Sequence, residues 1–392
     1  MQNGKFNVLV DSAWGSSGKG AASTRLADIH GIQNLSSCNY PNAGHCVVHN
    51  GAKWVFKVLP SGAALSTIYP EKQRPVLWVG PGSGFDIDQL EKEIAFTGYA
   101  KPDCEWPANV PDDIIIHDRA VIVSDKHIAA EGPGGVQSTL HVSSTMSGSG
   151  AAQSDKMMRK PDVKLVRDYG IGVKNWGFYM QVRRALERMK YYTRVGAFLH
   201  EVSQGFALSL NSGTHYPFCT SRECTPQQAY ADFGLLPDMI GDVYLNIRSL
   251  PIRVGNNYDA NGKQIGYSGD CMSDQRELTW QEIAETAEFP PEEAALLAEQ
   301  ERTTVTKKIR RVFTPSWELL AYSAKYCGAT KLVLNFPQYI HWSAHKVRGG
   351  AEVLAKLHPD VRAYVDKMEE VTSLPVVLIG TGAEHNDYIY LA

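Results

Sequence analysis

The feature that most constrains this chain is its start. Residues 6–10 (Phe-Asn-Val-Leu-Val) read as a short apolar strand running into Trp14-Gly15-Ser16-Ser17-Gly18-Lys19-Gly20 and then into a helical pattern. Strand, glycine-rich turn, lysine and helix together make a phosphate cradle. Glycines let backbone N–H groups approach the anion, the helix N-terminus adds positive potential, and the lysine supplies a mobile charge. A Walker A loop needs Gly-x4-Gly-Lys-Ser/Thr. Here Ala13 stands five residues before Gly18, and Gly20 follows the lysine. The site is P-loop-like, with a spacing that speaks against the common kinases and GTPases.

Further apolar, β-rich runs lie at 76–79, 114–116, 197–200, 243–247, 331–335 and 376–379, with helical patterns at 22–30, 87–97, 176–195, 315–327 and 351–367. This alternation predicts an α/β fold: a large, mainly parallel central sheet flanked by helices, with ligands at the carboxyl ends of its strands. Residues 46–48 predict a strand, Asn50-Gly51 a hairpin turn, and a second strand then runs to 59. Residues 132–150, rich in Gly, Ser and Thr, predict a loop. The stretch 256–303 opens with a hairpin turn, Asp259-Ala260-Asn261-Gly262. It continues through a Thr279/Glu282 capping box and an acidic helix over 290–301. We expect one domain over 1–392 with inserted loops and small subdomains, 256–303 being an excursion from it.

The net charge of −3 gives no basic surface for nucleic acid, and no apolar run approaches a membrane span. Seven cysteines with no Cys-x-x-Cys pair read as reduced thiols in a cytosolic protein, host cytoplasm if the source is viral. Cys46 and Cys219 read as small buried hydrophobes.

The phosphate loop is followed by Asn42-Ala43-Gly44-His45 and by Pro60-Ser61-Gly62. Together these resemble the adenylosuccinate synthetase family, and the resemblance continues along the chain. Ser144-Thr145 and the segment ending at Arg159, fourteen residues after Thr145, match a pair that contacts the acceptor nucleotide's phosphate, the arginine reaching across a homodimer. Glu201-Val202-Ser203-Gln204-Gly205, Gly213-Thr214-His215-Tyr216-Pro217 with Thr220-Ser221, and Arg253-Val254-Gly255 match further family segments. The resemblance implies that Lys19 and His45 are catalytic, that Gln204 orients His45 and the purine O6, and that Asn42, Thr220 and Val254 touch the acceptor nucleotide. It places the energy donor against Ser17, Gly18, Lys19, Gly20, Gly44, His45 and Cys46. The donor's base falls to Asn335, Phe336 and Pro337 on one side and Gly380 and Gly382 on the other. The basic run 303–311 resembles the family's aspartate-binding loop, with Thr306, Lys308 and Arg310 as the residues for the dicarboxylate. Mg²⁺ is the implied cofactor, with Ser16 and Gly44 at the metal.

Two departures carry the functional reading. Ser16 stands where the family has a catalytic aspartate beside purine C2, and Ser17 replaces a neighbouring glutamate. A short, neutral serine leaves room for the 2-amino group of a guanine and can accept a hydrogen bond from it. Asn335 stands where the family has the aspartate that reads guanine in GTP, so an adenine donor, ATP or dATP, is expected, with Phe336 packing on the base. Both point to the branch of the family, carried by some bacteriophages, that joins L-aspartate to dGMP on the way to 2-aminoadenine nucleotides. Two readings remain open beside it: ordinary use of IMP, and nucleotide binding without catalysis. The group that takes the N1 proton is also open between a donor phosphate oxygen, a water held by Ser16 and Ser17, and Asp11, for which a structural role at the strand end is an equal alternative.

Overall fold

The computed structural model describes residues 1–99, 113–169, 196–303 and 307–391. Nine strands form the central sheet in the order Tyr388–Tyr390, Val376–Gly380, Lys331–Asn335, Ile240–Arg248, Phe6–Asp11, Phe198–Glu201, Asn34–Ser37, Val76–Val79, Ile114–Ile116. All neighbours run parallel except the edge strand Tyr388–Tyr390. The first strand, β1 (Phe6–Asp11), lies fifth of the nine. Its side chains alternate between two cores. Phe6, Val8 and Val10 join Leu319, Leu320, Val361 and Val365 on one face, while Leu9 joins Leu26, Leu35, Leu90 and Ile94 on the other. A strand buried on both faces needs apolar residues throughout, which is why residues 6–10 read as a continuous run.

Expected strands 76–79, 114–116 and 331–335 have the observed bounds, and the hairpin turn has Asn50 and Gly51 both at positive φ. Three expectations need correction, and one strand was not foreseen. The second hairpin strand ends at Phe56, because the N–H groups of Lys57, Val58 and Leu59 turn onto the buried Glu93 carboxylate. The 351–367 pattern breaks into Ala351–Leu354 and Pro359–Thr372, since a proline cannot continue a helix but suits the first turn of the next. The loop over 132–150 gives way at Ser149 to a helix, Ser149–Met157, and contains a 3₁₀ turn, Leu140–Val142. Strand Asn34–Ser37 has a single large apolar residue and no period to detect; its serines are bonded instead, Ser36 to His200 and Ser37 to the Val58 carbonyl. The helical pattern over 176–195 lies outside the described residues.

Within 256–303 the hairpin pairs Asn257–Tyr258 with Gln264–Gly266, and the Thr279/Glu282 capping box opens helix Trp280–Thr286. Strand Glu277–Leu278 joins a three-stranded sheet with Ile252–Arg253 and Arg311–Phe313. A small core of Ile252, Trp280, Ile283, Leu297 and Val312 fills it. Among the described residues no helix is long and apolar enough to cross a membrane.

What positions the site is the exit from β1. Asp11, 1 % exposed, accepts the Ala13 N–H at 2.8 Å and the Gly15 N–H at 3.0 Å through Oδ1. Gly205 presses against this turn so closely that a Cβ would lie 2.3 Å from Asp11 Oδ1 and 2.5 Å from Gly15 N. We therefore expect Gly205→Ala to cost about 1–3 kcal/mol, the range for overpacking. Its denaturation midpoint should fall with an unchanged m-value, and an unshifted midpoint would refute this packing argument.

Candidate active site

The loop after β1 is held from three sides. Gly15, Ser16 and Gly18 have φ of 82°, 49° and 81°, and Gly18 caps helix α1 (Lys19–Ile29) in the left-handed conformation. From the neighbouring strand Ile240–Arg248, Asn246 donates to the Ser17 carbonyl at 3.0 Å and to Ser17 Oγ at 2.7 Å. Arg248 donates to the Ser16 carbonyl at 2.9 Å. These side chains are two apart on one strand and so reach out on the same side. Lys19 is buried and donates to the Gln204 carbonyl.

His45 opens the strand His45–His49, and its Nδ1 is paired with Glu201 at the end of the strand Phe198–Glu201. The other Glu201 oxygen accepts from Ser61 N at 3.1 Å and Ser61 Oγ at 2.5 Å. Burial drives the Glu201 carboxyl upward, but the His45 charge and these hydrogen bonds outweigh it and hold the group down at about 2. A buried carboxylate on Nδ1 fixes the imidazole's orientation, the arrangement by which a histidine is made to work through its other nitrogen.

Two cavities, of about 360 and 400 Å³, meet along Ser16, Asn42, Gly44, Gln204 and Arg310. The first is walled by Trp14, Ser144, Thr145, Thr220, Arg253 and Val254. Asn42 Nδ2 lies 3.5 Å from Thr220 Oγ1, and the Arg253 guanidinium sits 4.3 Å from the Trp14 ring centroid. Burial, then the Arg311 charge, push Arg253 down to about 9. The second cavity is walled by Ser17, Gly18, Lys19, Gly20, His45, Cys46, Asn335, Phe336, Gly380 and Gly382. The expected donor and acceptor residues thus fall into two adjoining cavities, with Ser16 exposed at the seam.

Some expected residues lie elsewhere. Glu201, quoted only as part of a motif, is the group that holds His45, whereas Gln204 contributes its main-chain carbonyl to Lys19. Asp11 braces the loop and lines neither cavity, and the Ser17 hydroxyl is buried against Asn246. Pro337 is buried in the first turn of the 3₁₀ helix Pro337–Tyr339 and lines neither cavity. Cys46 and Cys219 are half-buried, one in each cavity wall. Arg159 is exposed, at φ 55°, and lines neither cavity of its own chain. Of the aspartate-loop residues, Thr306 lies outside the described residues. Lys308 lines a separate open groove with Tyr258, Tyr267, Arg302 and Arg311, so of the two described residues Arg310 alone reaches the seam.

The sequence reading also missed a buried charge cluster behind the seam. Glu301 is bound by Arg248 at 2.5 Å, by Arg310 at 3.3 Å and by the Tyr339 hydroxyl. Burial raises its carboxyl, and the Arg248 and Arg310 charges more than reverse that. Arg248 also lies 3.9 Å from the Phe336 ring centroid. The available signal was a pair of polar residues, Asn246 and Arg248, at the carboxyl end of a parallel strand that is otherwise apolar from Val243 on, where such sheets bind ligands.

Residues 8–168 match the family model described as adenylosuccinate synthetase. The N6-succino-2-amino-2'-deoxyadenylate synthase of Acinetobacter phage SH-Ab 15497 is 30% identical over 98% of this chain and 97% of its own length. The adenylosuccinate synthetase of Archaeoglobus fulgidus is 27% identical over 98% and 97%. Among solved structures, the succinoaminodeoxyadenylate synthetase of cyanophage S-2L, bound to dGMP and to dATP as an energy donor, superposes with a TM-score of 0.74. It is 29% identical, covering 98% of this chain and 95% of that one. Fully ligated adenylosuccinate synthetase from Plasmodium falciparum shares the fold, with a TM-score of 0.73 at 16% identity and coverage of 98% and 99%.

The pair at His45 has a pH signature. The Glu201 pKa is below its unfolded value, so its contribution to stability is full above about pH 4.5. That contribution is lost as pH falls towards the folded value of about 2. Glu201→Gln should flatten this acid limb of the melting temperature, and an unchanged limb would refute the ion pair. The same variant should retain nucleotide binding and lose roughly 10- to 100-fold in kcat, the range for removing a partner that orients a functional histidine.

Proposed function

We propose, from the premise that the chain belongs to the adenylosuccinate synthetase family, that it is a ligase joining L-aspartate to C6 of dGMP, with an adenine nucleoside triphosphate, dATP or ATP, as energy donor. One observation carries this reading: the exposed side chain at the seam of the two cavities is that of the short, neutral Ser16. A carboxylate there would crowd a purine 2-amino group, while a serine oxygen accepts from it. The relatives named for the dGMP-derived product and the structure holding dGMP and dATP support the same substrate pair.

In this reading dGMP occupies the first cavity and the triphosphate the second. O6 attacks the γ-phosphoryl group in line, and the amine of aspartate then displaces phosphate from C6. An amide-like oxygen leaves poorly and phosphate leaves well. Positioning and charge stabilisation supply most of the catalysis. Lys19 and the Gly18 and Gly20 backbone hold the transferring group, and His45, oriented by Glu201, donates to the oxygen that departs. Arg310 receives a carboxylate of aspartate at the seam, with Thr306 as a second contact for it. The N1 proton passes to a phosphate oxygen of the donor or to a water at Ser16, because Asp11 and Ser17 are both engaged in bracing the loop.

Among the described residues no group of three or more His, Cys, Asp or Glu is placed to hold a metal. The Ser16 and Gly44 oxygens at the seam would hold Mg²⁺ beside the triphosphate, and the ion would supply charge neutralisation on the phosphates. Arg159, exposed and lining neither cavity of its own chain, suits a residue delivered to the partner's acceptor phosphate in a homodimer. Such an enzyme would work in the cytoplasm of a phage-infected host.

Phosphate release with L-aspartate, Mg²⁺ and dATP, comparing dGMP, GMP and IMP, tests the reaction. Turnover with dGMP and little with IMP is expected; turnover with IMP alone would return the chain to ordinary AMP synthesis. Ser16→Asp should lower kcat/KM for dGMP at least tenfold, about 1.4 kcal/mol of crowding. Gel filtration should report twice the 43.3 kDa chain, and a monomer with full activity would remove the role given to Arg159.

A further inference from the structure

The polar end of the strand Ile240–Arg248 does more than brace the phosphate loop. Asn246 Nδ2 donates to the Ser17 carbonyl at 3.0 Å. A main-chain carbonyl only accepts, so this contact decides which end of the Asn246 amide faces the loop. Its Oδ1 then faces the opposite way, 2.8 Å from Asn335 Nδ2. Asn335 must present a donor there, which turns its own Oδ1 towards Gly380, where a Cβ would come within 2.2 Å of it. Asn335 is 4% exposed, and both it and Gly380 line the donor cavity. Among the described residues no group donates to this oxygen.

We propose that Asn335 reads the 6-amino group of the donor's adenine through Oδ1, and that the relay Ser17–Asn246–Asn335 imposes the polarity of that contact. This rests on the adenine-donor reading above. Adenine carries N–H at position 6, which matches an acceptor in the cavity wall that no described residue serves. Guanine carries a carbonyl there, so the same approach sets acceptor against acceptor. The N1–H and N2–H of guanine are served best by a carboxylate, and the relay does not tolerate one at position 335. Either carboxylate oxygen would face Asn246 Oδ1, and turning the Asn246 amide to relieve that would set its oxygen against the Ser17 carbonyl.

The test compares kcat/KM for dATP and dGTP, donors that differ only in the base, at saturating dGMP and aspartate. Asn335→Asp should lower the dATP:dGTP ratio by roughly tenfold or more, the worth of one well-placed hydrogen bond. The KM for dGMP should not move, and a merely structural role would not produce that split. Asn246→Ser leaves the Asn335 amide free to turn, and should lower the ratio several-fold even if the aspartate variant fails to fold. A wild-type preference for dGTP would overturn the adenine-donor reading. A wild-type preference for dATP that survives both substitutions would overturn the assignment of Asn335 alone.

Discussion

The seam between the two cavities depends on how the chain leaves β1, and that depends on one carboxylate. Asp11, at the end of the central strand, gathers two N–H groups of the following turn, and Gly205 closes on it without a side chain. The geometry that results is strained: Ser16 and Gln204 both have positive φ, at 49° and 61°. A left-handed non-glycine residue costs roughly 1–2 kcal/mol. In both cases the residue's carbonyl is held by a buried cation, Arg248 on Ser16 and Lys19 on Gln204. Hydrogen bonds to charged groups are worth about 1.5–3 kcal/mol, enough to offset that strain. The cation expected to meet the transferring phosphate therefore also helps hold the loop that binds it.

Charge is arranged around the seam and kept off it. The buried carboxylates around the cavities are each partnered: Glu201 by His45, Glu301 by Arg248 with Arg310, and Glu131, in the wall of the first cavity, by the N–H groups of Gly148 and Ala151. Removing one member of such a buried pair strands the other, at about 3–5 kcal/mol. Apart from Arg310, the residues shared by both cavities are neutral: Ser16, Asn42, Gly44 and Gln204. A reaction that builds negative charge on a bridging oxygen is helped by neutral walls and by cations a short distance behind them.

Much of this was legible in the sequence where a residue's role follows from local chemistry. The apolar strands, the Asn50-Gly51 turn, the Thr279/Glu282 cap and the loop before Lys19 are short-range signals, and they appear where expected. Strand Asn34–Ser37 was not legible, because its polar side chains find partners on distant segments rather than declaring a period. Lys308 and Arg310 differ by two positions, yet only Arg310 reaches the seam, since Glu301 draws it inward. Glu201 stood in a quoted motif, but its bond to His45 spans 156 residues. Asn246 and Arg248 had no linear motif at all.

The two departures from the family pattern, at the acceptor and at the donor, are joined by structure. Ser16 and Ser17 sit in one loop, and the Ser17 carbonyl fixes the Asn246 amide, which in turn fixes that of Asn335. While Asn246 keeps that contact, an aspartate at 335 meets acceptor against acceptor. The loop conformation is in turn held by Asp11 and by the Arg248 bond to Ser16. The donor-side asparagine is therefore tied to the loop's backbone, through a carbonyl that any residue at position 17 supplies. An aspartate at 335 beside an Asn246 that keeps this contact leaves one buried acceptor without a donor, at about 1–3 kcal/mol.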